Sequence, residues 1–235
     1  MLKIFGMSSS GNCYKVKLLL EQIQQPCQWE EIDIMQGTTR TTEFLAMNPN
    51  GKVPTLQIEP GVFLAESNAI LCYMAEGTDY WPTNKLHRGE ALQWLFFEQC
   101  SHEPYIAVAR FICKYLPADH LRRAELPRLL ERGYHALNVM EQHLSTRDYF
   151  VAGHYSIADI ALFAYTHQAD IGGFDLSRYP AIQRWIKRVE SQPRFVKLGY
   201  CPATYVTPSV ANYSGKMRIA ASCGSTIPIT QVFAA

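Results

Sequence analysis

The hydrophobic rhythm of the chain changes once, and that change limits the folds open to it. Up to about Glu76 short strand-like and helix-like segments alternate, whereas beyond Lys85 only helical periodicities remain. Leu2, Ile4 and Phe5 read as a strand, and Val16, Leu19, Leu20 and Ile23 recur at helical spacing until Pro26 stops them. Trp29, Ile32 and Ile34 suggest a second strand, and Thr42 to Met47 a short helix. Val53 to Ile58 and Val62 to Leu64 are strands joined by the tight turn Glu59-Pro60-Gly61, and a last helix carries Ile70, Leu71 and Met74. The order βαβ, α, ββα builds one small mixed sheet with helices on its faces.

The Gly-, Thr- and Pro-bearing stretch 77–85 reads as a linker between a first domain, 1–76, and a helical domain, 86–200. One helix is expected from Leu86 to Tyr115 and another over Leu126 to Leu144, with Pro127 in its first turn. Shorter helices follow at Ser156 to Gln168 and Pro180 to Glu190. Ser156 and Asp159 form an acidic variant of the capping box, with Tyr155 and Ile160 as its hydrophobic staple, a motif about folding rather than chemistry. The extension 201–235 has no sustained period, and no role follows from it.

Composition excludes several classes of partner. Lys+Arg 22 against Asp+Glu 21 leaves a formal charge of +1, so no global field favours nucleic acid or an anionic membrane. No apolar run is long enough for a membrane span, and the chain opens on a strand without a signal-peptide pattern, so a cytoplasmic protein is expected. Seven cysteines lack metal-ligand or disulfide-framework spacing, and Cys72 and Cys113 sit within apolar helical patterns. Neither a metal nor a disulfide scaffold is expected.

The chemistry concentrates at two strand-to-helix junctions. Phe5-Gly6-Met7-Ser8-Ser9-Ser10-Gly11-Asn12 ends a strand in small polar residues and launches a helix, which leaves hydroxyls, an amide and free N–H groups where partial positive charge collects. Each serine alone is an ordinary cap. A second junction, Ala65-Glu66-Ser67-Asn68, repeats the arrangement: a helix mouth suited to a carboxylate beside Glu66, suited to an ammonium group. Such a pair is what an α-amino acid terminus requires. Between the junctions stands Gly51-Lys52-Val53-Pro54-Thr55-Leu56. From sequence alone a trans proline is the ordinary reading; a cis Val53-Pro54 bond would free the Val53 backbone to pair with an extended peptide, with Lys52 as a nearby cation.

These stretches, with the late V-A-G-H-Y-S-I-A-D-I-A-L, resemble the cytosolic glutathione transferases, particularly the bacterial serine-type and theta-like members, over Met1 to about Phe195. The resemblance implies an α+β N-terminal thioredoxin-like domain (βαβαββα) followed by an all-α domain, a cis Val53-Pro54 bond, a homodimer, and glutathione as co-substrate without a metal. By position it makes Ser10 the hydrogen-bond donor to the glutathione sulfur, with Asn12 a second candidate and Ser8 and Ser9 as alternative hydroxyls. It gives Glu66 and Ser67 the γ-glutamyl end, Val53 the cysteinyl backbone and Lys52 the glycyl carboxylate. Tyr105, on the first long helix, is the candidate wall of a pocket for the second, electrophilic substrate, with ordinary interhelical packing as the competing reading. His102 could reach the same mouth, though a lone helical histidine is more often structural.

The leading expectation is conjugation of the glutathione thiolate to electrophilic small molecules, the thiolate being stabilised by Ser10. A rival is glutathione-dependent disulfide reduction or peroxidase chemistry, drawing on Cys13, because Ser10-Gly11-Asn12-Cys13 overlays a C-x-x-C spacing whose first cysteine is replaced. A third reading is a non-catalytic interaction module that keeps the fold as a scaffold. A Ser–His nucleophile ranks low, since no histidine lies near the serines in sequence.

Overall fold

A computed structural model describes residues 1–200; the extension from Cys201 to Ala235 lies outside the described residues. The first half folds as β1 (Leu2–Gly6), α1 (Gly11–Gln22), β2 (Cys27–Glu31), α2 (Thr42–Met47), β3 (Thr55–Glu59), β4 (Val62–Ala65) and α3 (Ser67–Ala75). Its four-stranded mixed sheet has the order β2-β1-β3-β4, with β1 parallel to β2 and antiparallel to β3. Ile4 stands opposite Trp29 on one side and Leu56 on the other, so three buried apolar side chains cross the sheet in one row. The β3–β4 hairpin turns through Gly61, whose φ of 82° suits glycine. The Val53-Pro54 peptide is cis, as the resemblance implied and the sequence alone did not favour.

The second half is helical: α4 (Lys85–Phe97), α5 (Glu103–Tyr115), α6 (Leu126–Leu144), α7 (Ile157–Thr166) and α8 (Pro180–Glu190). The single helix expected from Leu86 to Tyr115 is therefore two. Pro104 is the reason: it has no N–H to donate, and its ring would collide with the Cys100 carbonyl in a continuous helix. The chain relieves this with one π-helical turn, Glu98–His102, in which the Glu103 N–H donates to the Glu98 carbonyl.

Helix α1 is held between the two halves. Cys13, Val16 and Leu20 pack on the sheet with Ile4, Trp29 and Leu56, whereas Tyr14, Leu18 and Leu19 join the larger core of the helical half. Helix α7 lies in the middle of that core, with every residue from Ile157 to Thr166 buried. Its capping box forms as expected, and the buried Asp159 carboxyl also takes the Phe150 N–H at 3.2 Å and the Trp185 Nε1–H at 2.9 Å. Among the described residues no helix is long and apolar enough to cross a membrane.

Candidate functional site

Helix α1 starts where the serine run ends, and each serine has a different task. Ser8 is tied to the sheet edge: its N–H and hydroxyl donate to Glu31 Oε1 at 2.7 and 3.0 Å. Ser9 is tied to α5: its Oγ accepts from the Tyr115 hydroxyl at 2.9 Å and its carbonyl from Arg110 Nη2 at 3.3 Å. Ser10 is the N-cap, extended at φ −81° and ψ 130°, and its Oγ accepts a long bond of 3.4 Å from the Cys13 N–H. Its hydroxyl also faces the Cys13 thiol. The Tyr165 ring presses on the first turn so closely that a Cβ on Gly11 would come within 2.5 Å of it, and the Tyr165 oxygen accepts the Asn12 N–H at 3.2 Å.

The second mouth is α3. Glu66 stands immediately before it at φ 68°, a left-handed conformation that costs a non-glycine residue about 1 kcal/mol or more. No side chain caps the helix, so the N–H groups at its head remain available to an anion. Asn50 Nδ2 donates to Glu66 Oε1 at 3.4 Å. The loop between the mouths is organised by buried Asn48, whose Nδ2 donates to the Lys52 carbonyl at 2.8 Å and whose Oδ1 accepts the Asn50 N–H at 3.1 Å.

One cleft collects Asn12, Lys52, Val53, Glu66 and Ser67, together with Asn48, Pro54, Gln99 and Glu103. Five of the seven residues singled out from sequence thus share a single cavity. Ser10 lies two positions before Asn12 without lining it, and Tyr105 is packed against the helical core instead. Sequence reasoning missed Asn48, Gln99 and Glu103. Asn48 belongs to the turn N-P-N-G and carried a signal in its Asx chemistry, but the last two reach the cleft only through the π turn.

A polar chain crosses this site. Lys15 is fully buried on α1, and its Nζ lies 2.8 Å from Glu98 Oε1, 3.3 Å from Ser67 Oγ and 3.5 Å from Asn68 Oδ1. The Ser67 hydroxyl donates to Asn12 Oδ1 at 3.4 Å, and Asn12 Nδ2 donates to Glu103 Oε1 at 3.2 Å. Ser67 is therefore occupied on both sides, which leaves its backbone N–H rather than its hydroxyl for a ligand. Burial and the neighbouring Glu98 push the Glu103 carboxyl above the usual range. Cys13 is wholly buried, and burial pushes its thiol up to about 12 despite bonds from Ser10 and Met7, so it is neither exposed nor a thiolate.

His102, at the end of the π turn, is enclosed. Thr166 Oγ1 gives its hydrogen to the Leu162 carbonyl at 2.7 Å, so at 2.8 Å from His102 Nε2 it must accept. That fixes the neutral Nε2–H tautomer and leaves buried Nδ1 without a partner. Burial, then Lys15, lower the imidazole to about 3. No group of three His, Cys, Asp or Glu side chains could hold a metal ion among the described residues.

Comparison with known proteins matches the same two halves. The family model for the glutathione S-transferase N-terminal domain covers residues 1–76, and that for the C-terminal domain covers residues 105–193. A crystal structure of a glutathione S-transferase from Pseudomonas fluorescens Pf-5 is 56% identical, with a TM-score of 0.81, covering 84% of this chain and 98% of that one. A glutathione transferase family member from the same organism, with two glutathione bound, is 25% identical with a TM-score of 0.72 over 82% of this chain and 89% of its own. The disulfide-bond oxidoreductase YfcG of Escherichia coli K12 is 29% identical over 77% of this chain and 87% of its own length. With a sheet, a helical half and a two-mouthed cleft of this kind, the chain belongs to the glutathione S-transferase family.

Proposed function

We propose that the protein is a cytoplasmic, homodimeric glutathione transferase that conjugates the glutathione thiolate to electrophilic small molecules. The observation that carries the reading is the convergence of Asn12, Lys52, Val53, Glu66 and Ser67 on one cleft between two helix mouths. In it the γ-glutamyl carboxylate meets the N–H groups at the head of α3, and Glu66 receives the ammonium. The Val53 backbone pairs with the cysteinyl unit, Lys52 faces the glycyl carboxylate, and the sulfur lies at the mouth of α1. Glutathione bound to a structural neighbour supports this occupant.

The energetics are sufficient. A thiol with pKa about 8.5 is a few per cent ionised at neutral pH, and lowering it by two units takes about 2.7 kcal/mol of preference for the anion. One hydroxyl donating to a charged acceptor supplies roughly 1.5–3 kcal/mol, and the helix terminus adds up to about 1. Ser10 is the serine left at that mouth, since Ser8 is bonded to Glu31 and Ser9 to Tyr115 and Arg110. The thiolate then attacks carbon: a C–S bond forms, the bond to the leaving group breaks, and the leaving group departs with the electron pair. Ultraviolet titration of the bound thiolate tests this. Ser10→Ala should raise its pKa by about one to two units and slow conjugation of a chlorinated nitroaromatic about ten- to hundredfold below that pKa. An unchanged thiolate pKa in Ser10→Ala would remove the role given to that hydroxyl.

The likeness to a disulfide-bond oxidoreductase favours a second reading, in which the same thiolate attacks a disulfide and a second glutathione resolves the mixed disulfide. Enclosure of Cys13 makes this a glutathione-only route. Turnover of a glutathione mixed disulfide, intact in Cys13→Ser, with no conjugation of any nitroaromatic, selects it.

A further inference from the structure

The carboxyl of Glu103 has no part in the reading above, yet it lines the same cleft as Val53 and Glu66. It comes from the first residue of α5, brought there because the π turn ends at His102. Its Oε1 accepts from Asn12 Nδ2, and Asn12 cannot turn over: its Oδ1 is held by a hydroxyl whose own lone pair faces the Lys15 ammonium. The second hydrogen of Asn12 Nδ2 has no acceptor among the described residues and remains for a ligand in the cleft.

The charges around Glu103 leave it poorly compensated. From α1, Lys15 is spent on Glu98 of the π turn at 2.8 Å. From the loop, exposed Lys52 also favours the Glu103 carboxylate, as does Lys15, but burial and Glu98 outweigh both. Glu66 at the head of α3 brings a second carboxylate, and from α7 comes only the Tyr165 phenol, which burial keeps protonated. A thiolate arriving beside Asn12 therefore meets an anion already in place. Two negative charges sharing a partly desolvated site do not both persist; one takes a proton. The carboxyl is disposed to do so, being already pushed up by burial and by Glu98.

We propose that Glu103 keeps the proton that glutathione gives up. On binding, the S–H bond of the cysteinyl unit breaks and an O–H bond forms on the Glu103 carboxylate, so the complex holds as many protons as its separated parts. The inference rests on the thiolate reading above and adds where its proton goes. It gives the site a proton-neutral way to form its nucleophile and leaves a carboxylic acid next to the sulfur.

Calorimetric titration of glutathione at pH 7 in buffers of differing ionisation enthalpy counts the protons exchanged, with the thiolate absorption recorded in parallel. The wild-type protein should release about zero protons while showing the thiolate band. Glu103→Gln, which keeps an acceptor for Asn12, should show the band and release about one proton. S-methylglutathione, which has no thiol, should release none from either. Release of about one proton by the wild type, or of none by Glu103→Gln with the band intact, overturns the proposal. If Glu103→Gln does not bind, infrared difference spectra of the wild type decide, since a protonated-carboxyl stretch must appear with glutathione and not with the S-methyl form. Binding without a thiolate band in the wild type refutes the thiolate reading itself, a distinct failure.

Discussion

Neighbouring residues of one helical turn here carry opposite fates. Asn12 looks into the cleft, whereas Cys13, one position on, has a side chain with no exposure at all, wedged against Gly6 and the sheet. A thiol held at about 12 is almost wholly protonated at neutral pH and closed to reagents. Iodoacetamide at neutral pH should therefore modify exposed Cys100 and leave Cys13 and buried Cys27 unmodified in the native protein, as read by peptide mass spectrometry. Rapid alkylation of Cys13 would reopen a cysteine-based mechanism. The contrast shows what a sequence discloses at this scale. Ser10, Asn12, Glu66 and Ser67 were legible because helix mouths have strict local chemistry. That Ser8 and Ser9 turn away from the mouth was not, since their partners Glu31, Arg110 and Tyr115 are distant in sequence. Tyr105 packs against the helical core, and an aromatic side chain on a long helix reads alike whether it lines a pocket or fills a core.

At the scale of elements, the π turn between α4 and α5 concentrates the burial of charge. It presents Glu98 to Lys15 and His102 to Thr166, all four fully enclosed, so an ion pair joins the two halves of the chain and a neutral imidazole sits within the helical half. An enclosed histidine makes folding acid-sensitive, and the sign is unambiguous. With the folded value near 3 and the unfolded value near 6.5, the unfolded chain binds the extra proton in that window. Stability present above pH 6.5 is thus lost as pH falls, by about 2 kcal/mol between pH 7 and pH 5 from His102 alone. His143 and His167 are lowered by burial too and add to the slope. Urea unfolding at both pH values should show wild type losing more than His102→Gln by about that amount, although the variant starts less stable for want of a well-fitted partner for Thr166. Equal losses would mean that His102 is charged in the folded protein. The hairpin, the capped α7 and three of the strands were readable from period and turn chemistry, whereas the second strand, expected from Trp29, Ile32 and Ile34, ends at Glu31 and Ile34 opens a 3-10 turn. The helix break was written in Pro104 but masked by apolar spacing that continues on both sides of it.

At the scale of the molecule, helices α3 and α4 hold apolar side chains out to solvent among the described residues. Helix α4 exposes Leu92 and Phe96, the latter 65% exposed, at a spacing of four residues, and Tyr73 of α3 is 48% exposed. Solvated phenylalanine at that level on a regular helix suits a second copy of the chain, consistent with the homodimer proposed above. In a twofold arrangement both copies of Phe96 are buried, and at about 2 kcal/mol per side chain their loss removes about 4 kcal/mol from association, or about a thousandfold in Kd. Phe96→Glu should therefore sediment as a monomer at concentrations where the wild type is a dimer, with an unchanged helical circular dichroism spectrum. The consequence reaches the cleft, because Gln99, three residues beyond Phe96, forms part of its lining. Bracing this end of α4 across a dimer axis should hold Gln99 and the π turn in place, so glutathione affinity of the wild type should fall on dilution through the dimer dissociation range, and that of Phe96→Glu should be low and independent of protein concentration. A monomeric variant with full, concentration-independent affinity would mean that each cleft is complete within its own chain.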